Sequence, residues 1–127
     1  MDVTDLAKSL FEAFASGNAA AVRRLCHADM TARQNNGSLM GLEELLAFSA
    51  AVNGIVSDFE YANPRRSATV TGFVEEHDVR GTLPDGTAID LAICVVADVA
   101  NGRITALREY FDTAAAHALI AALSNER

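Results

Sequence analysis

The chain has 127 residues, half of them hydrophobic and 21% charged, with ten Lys and Arg against seventeen Asp and Glu for a formal net charge of −7. That length suits one domain, able to bury about two-thirds of its unfolded surface, and the acidic balance disfavours phosphate backbones and anionic lipid, so neither nucleic acid nor membrane is an expected partner. The longest apolar run, Leu91 to Ala97, falls far short of the roughly 20 residues a bilayer demands; MDVTDLAKSLFEAF carries acids and no basic region, so no secretory signal is read and a cytoplasmic location is expected.

In chain order, Leu6, Leu10, Phe11 and Phe14 fall on one helical stripe, with Asp2 or Thr4 as N-cap and Gly17 as the stop. Asn18 can cap a second, short helix over Ala19, Val22, Leu25 and Cys26, ending near His27. Met30 to Asn35 reads as a first short strand, and Asn36-Gly37-Ser38 as a turn. Gly41 opens a third helix from Leu42 to about Val52, which Asn53-Gly54 closes.

From Ile55 the hydrophobic period changes from helical to two. Ile55 to Ala62 alternates, Asn63-Pro64 breaks the pattern, and Ser67 to Arg80 alternates again. Pro84-Asp85-Gly86 makes a hairpin turn, Thr87 to Val99 is a long apolar strand, and Asn101-Gly102 is a hairpin signal before a last strand, Arg103 to Phe111. An Ala-rich helix, Thr113 to Leu123, ends the pattern. Helices first, then strands joined by tight turns, then one helix: this order predicts an α+β fold with a mostly antiparallel sheet and helices on one face. Cys26 and Cys94 lie among apolar residues and are expected as buried thiols without a disulfide.

The strand pattern carries the candidate chemistry. Taking Ala68, Val70, Gly72 and Val74 as the inward face places Glu76, Asp78 and Arg80 on that face too, with Glu75 and His77 opposite. Residues two apart on a strand face are roughly 6.5–7 Å apart, where two carboxylates repel by about 2.4 kcal/mol at an effective dielectric of about 20. Glu76 and Asp78 in a partly dry interior would therefore exchange protons near neutral pH. On the last strand Glu109 stands between Leu107 and Phe111 on one face, which is how an acid with a raised pKa is built. A solvated strand end is the plainer reading of residues 75 to 80, and Arg65-Arg66 reads as a solvated loop. His27, His77 and His117 are far apart with no ligand spacing, so no metal site is expected.

The stretch EEHDVRGTLPDGTAIDLAICVVADVANGRITALREYFD resembles the C-terminal half of limonene epoxide hydrolases, within the superfamily of nuclear transport factor 2-like (NTF2-like), ketosteroid isomerase-like and SnoaL-like proteins. The points of likeness are Asp78 followed by Leu83-Pro84 and Gly86, Asp90-Leu91 with Ile93, Gly102-Arg103-Ile104-Thr105, and Arg108 with Tyr110-Phe111-Asp112. The resemblance implies a cone, a strongly curved antiparallel sheet packed with the N-terminal helices around an apolar pocket. It also implies a homodimer, a small apolar ligand, and neither metal nor organic cofactor. It makes Asp78 and Glu109 a catalytic acid pair, with Glu76 where the epoxide hydrolases place an arginine; Arg80 or Arg33 would have to restore that cation. Asn35 matches the asparagine that helps hold the water. Leu91, Ile93, Leu107 and Phe111 would shape the pocket.

The function expected is general acid/base catalysis of an isomerase or cyclase kind on a small apolar substrate. The alternatives are an epoxide hydrolase with an altered triad and a non-catalytic ligand-binding or dimerisation module.

Overall fold

The computed structural model describes residues 1–125. Nine elements follow one another as α1 (Val3–Ala15), α2 (Ala19–Leu25), β1 (Cys26–Gln34), α3 (Leu42–Ile55), β2 (Ser57–Ala68), β3 (Gly72–Thr82), β4 (Ala88–Ala100), β5 (Arg103–Tyr110) and α4 (His117–Asn125). The architecture is α+β. One five-stranded sheet runs β1-β5-β4-β3-β2, antiparallel except where β1 lies parallel to β5.

Local chemistry sets the helix ends. The Asp2 carboxylate accepts from the Thr4 amide at 2.8 Å and caps α1, and Asn18 does the same for α2 through the Ala21 amide at 3.1 Å. Glu44 reaches back to the Gly41 amide at 3.1 Å at the start of α3. Helix α3 passes through Asn53-Gly54 to Ile55 instead of stopping at Val52. The Asn53 side chain donates to the Phe14 carbonyl at 2.9 Å, so tertiary packing overrides the weak helix propensity of this pair.

Leu6, Leu10, Phe11 and Phe14 of α1 are buried against the sheet, where Phe73, Leu91, Val95 and Leu107 form the facing wall. Asn101 and Gly102 both have positive φ, 52° and 74°, as the expected hairpin turn between β4 and β5 requires. Strand β1 begins at Cys26, four residues earlier than its polar sequence suggests, because pairing with Ile104 holds it.

Two differences from the sequence expectation matter for the site. Asn63-Pro64 does not end the strand; β2 runs through it as a bulge, with Asn63 at φ 53° and the β2–β3 register shifting between Ala62 and Arg65. Residues 67 to 80 are not one strand. A hairpin at Thr69–Thr71 separates β2 from β3, closed by the Thr69 amide on the Gly72 carbonyl at 2.9 Å, and Val70 at its tip is wholly exposed. The inward face restarts at Phe73, so the phase of β3 is one residue away from the one that Ala68, Val70 and Val74 suggest. No helix among the described residues is long and apolar enough to cross a membrane.

Candidate functional site

Between the inner face of the sheet and helices α1, α3 and α4 lies a cavity of about 140 Å³. Its wall is hydrocarbon, including Phe14, Leu45, Val52, Leu91, Ile93 and Val95. Four polar side chains reach into it from four strands: Gln34 of β1, Tyr61 of β2, His77 of β3 and Glu109 of β5. Helix α4 packs on α3 and closes one side with Leu119, Ile120 and Leu123. An open polar recess lined by Asn35, Asn36, Asp112 and Thr113 adjoins the cavity, sharing Gln34, Phe111 and Ile120 with it.

Strand registry explains how the polar groups meet. Gln34 pairs with Glu109, Glu109 with Val95, Val95 with Glu75, and Glu75 with Arg66, a single row across all five strands. Since partners in register point to the same face, this row puts both glutamates on the inner side with Val95 between them. What Glu109 still exposes is turned to the cavity. Burial among hydrocarbon pushes its pKa above the ordinary glutamate value; a charge on His77 and a hydrogen bond from Gln34 act against that shift without reversing it. The Tyr61 hydroxyl is likewise pushed strongly upward, first by burial and then by Glu109 and Glu75, so it stays a neutral donor.

His77 is held by two rings and a carboxylate. Its ring lies 4.8 Å from that of Phe11 and 4.6 Å from that of Tyr61, centroid to centroid. Its Nδ1 is 2.6 Å from Oε2 of Glu75, whose other oxygen accepts from Nε of Arg66 at 2.5 Å. Glu75 is fully buried at 0% exposure, and the two contacts satisfy a charge that would otherwise be expensive in such a place. Nε2 of His77 has no hydrogen-bond partner among the described residues, and the residue lines the cavity.

The residues singled out in the sequence divide into two sets. Leu91, Ile93, Leu107, Phe111 and Glu109 all line the cavity. Glu76, Asp78 and Arg80 do not. The phase of β3 turns them to the outer face of the sheet, with Glu76 exposed, Asp78 accepting from Asn63 at 3.1 Å and lying 3.6 Å from Arg80, and Arg80 also bound to Asp90 at 3.2 Å. The expectation that Glu76 and Asp78 face the interior is therefore corrected, because the turn at Thr69–Thr71 resets the alternation. Arg33 is exposed and donates to the Gly37 carbonyl at 2.9 Å, so neither it nor Arg80 restores a cation beside Glu109, and the acid–arginine–acid set of the epoxide hydrolases is not assembled at these positions. Asn35 stands in the adjoining recess and acts as a strap: its amide donates to the Glu109 carbonyl at 2.8 Å and its side chain accepts from the Phe111 amide at 3.1 Å.

Arg66, Glu75, His77 and Tyr61 were not among the expected site residues. The signal for them is the alternation Phe73, Glu75, His77, Val79, bounded by large apolar residues at both ends. It becomes readable once Thr69-Val70-Thr71 is taken as a turn. Among the described residues no group of three or more His, Cys, Asp or Glu is placed to hold a metal ion. Both cysteines are free thiols, and burial raises that of Cys26 to about 12; Cys94 is only partly buried, on the outer face beside Tyr110.

Comparison with known proteins agrees with this geometry. Residues 7–107 match the model of the SnoaL-like domain, and the chain belongs to that family, within the NTF2-like superfamily. Among solved structures it is similar to IdmH, a candidate polyketide cyclase from Streptomyces antibioticus, with TM-score 0.83 and 19% identity over 95% of this chain and 99% of that one. It is also similar to an NTF2-like protein of unknown function from Burkholderia pseudomallei, with TM-score 0.81 and 22% identity over 94% and 98% of the two chains. A candidate polyketide cyclase from Xanthomonas campestris gives TM-score 0.78 and 22% identity over 95% and 96%. No curated protein matches the sequence. These likenesses establish the fold.

Proposed function

We propose that the protein is an acid/base enzyme that moves a proton on a small, uncharged, mainly apolar carbonyl compound, in an isomerisation or ring closure. The observation that carries this reading is Glu109, a carboxyl whose pKa is raised by burial and which lines a mainly hydrocarbon cavity together with His77. Two titratable groups of opposite kind in one water-poor space are what proton shuttling requires. His77 Nε2 takes a proton from the carbon next to the carbonyl, the C–H electron pair moves into the enol, and the acid form of Glu109 gives its proton to the carbonyl oxygen with Tyr61 as a further donor. Returning the proton at another carbon gives an isomer; attack of the enol carbon on a second carbonyl closes a ring. Membership of the SnoaL-like family and likeness to candidate polyketide cyclases support this class of chemistry.

The test is hydrogen exchange on a simple ring ketone, such as cyclohexenone, in heavy water. Glu109→Gln and His77→Ala should each slow the exchange by about 10²-fold or more while the fold persists. Exchange that survives both substitutions would rule the reading out. Wild-type exchange no faster than the buffer background would favour the non-catalytic binder, for which ligand affinity would also be unchanged by Glu109→Gln.

A further inference from the structure

We propose that Arg66, which lies outside the cavity, is a positioning residue that acts through Glu75 to decide which nitrogen of His77 meets the ligand. The inference rests on the reading of His77 as the proton carrier. The Phe11 and Tyr61 rings pack against the imidazole from one side, but an apolar contact cannot tell the two nitrogens apart. The hydrogen bond to Glu75 can. With one oxygen held by the guanidinium at 2.5 Å, Glu75 is a carboxylate and can only accept. In the neutral ring the contact of 2.6 Å to Nδ1 therefore requires the hydrogen on Nδ1, which leaves the lone pair on Nε2 of a residue that lines the cavity. A base is presented, not a donor.

The backbone selects Arg66 for this. Across β2 and β3, Ala62 pairs with Asp78, yet beyond Asn63-Pro64 the partners are Arg65 with Glu76 and Arg66 with Glu75. The bulge inserts one residue into β2; a regular ladder would bring Arg65 opposite Glu75 instead. As built, Arg65 is exposed, while Arg66 is turned inward with 23% of its side chain exposed. The residue pair that reads as a solvated loop is thus divided into one arginine for water and one for the buried carboxylate.

Nitrogen-15 NMR of the His77 ring, recorded on the whole chain above the pH at which the ring carries charge, reads the tautomer directly. The wild type should carry its proton on Nδ1. In Glu75→Gln, Arg66 keeps the single amide oxygen and the amide NH2 is left to face Nδ1, so the proton should move to Nε2. Arg66→Met should abolish the pure Nδ1–H signal, and Arg66→Lys should restore it. Ketone exchange by Glu75→Gln should fall by at least about 10²-fold; a comparable carboxylate-to-amide change that leaves a catalytic histidine in the wrong tautomer costs about 10⁴ in serine proteases. A wild-type proton on Nε2, or a tautomer unchanged in either Glu75→Gln or Arg66→Met, overturns the inference. A tautomer that switches while exchange continues at the wild-type rate overturns instead the role of His77 as proton carrier. Should Arg66→Met fail to fold, Arg66→Gln, which removes the charge but keeps a donor beside Glu75, reads the same loss of the pure Nδ1–H signal.

Discussion

Glu109 could be found from the sequence because its neighbours two residues away, Leu107 and Phe111, are large and apolar, and a strand face is read by such neighbours. Glu75 and His77 are harder to read, since every residue from Glu75 to Asp78 is polar and their phase emerges only once Thr69-Val70-Thr71 is taken as a turn. Burial of Glu109 has a consequence for stability. A carboxyl whose pKa is higher in the folded state holds its proton more tightly there, so unfolding releases that proton and stability falls as pH rises. The penalty begins as pH climbs through the unfolded value of 4.5 and stops growing once the buried carboxyl has itself ionised. Glu109→Gln should remove this component, making the protein more stable than the wild type at neutral pH and lessening the downward slope above pH 4.5 by up to about 1.4 kcal/mol per pH unit. Urea unfolding across that range measures it; a variant less stable than wild type at neutral pH would contradict the assignment.

At the level of elements, the order of helices and strands was legible because a long run of alternating residues begins near Ile55, and because Asn101-Gly102 marks a tight hairpin. The hairpin at Thr69–Thr71 escaped notice because threonine and valine favour strands, and no glycine or proline stands at its tip. Its position decides which side of β3 is the core, and substitutions can check it. Phe73→Ala should cost about 3–5 kcal/mol, since the ring is fully buried. Val70→Ala should change stability by no more than about 0.5 kcal/mol. The reverse ranking would restore the phase in which Val70 faces inward. Gly72→Ala should also be costly, by about 3 kcal/mol, because a Cβ there would overlap the Ala97 carbonyl of β4 at the point where the hairpin enters the sheet.

The molecule as a whole is a curved sheet with α1, α3 and α4 packed around the cavity on its inner side, and the hydrocarbon of that wall disfavours water there. At about 140 Å³ the cavity matches the size of a single six-membered ring, close to the engineered cavity of about 150 Å³ that holds benzene in another protein. Benzene or phenol should therefore raise the melting temperature by roughly 6–12 °C at saturating concentration, as expected for a stabilisation of about 2–3 kcal/mol. Benzoate should not, because its charge would have to be stripped of water beside Glu109. Equal stabilisation by benzoate would mean that the cavity is wet. Dryness and the proton on Glu109 are one property seen in two ways. The most direct test is the carbon-13 titration of the Glu109 side-chain carboxyl in the free protein: the account predicts a midpoint clearly above 4.5, and a midpoint at or below 4.5 would contradict it.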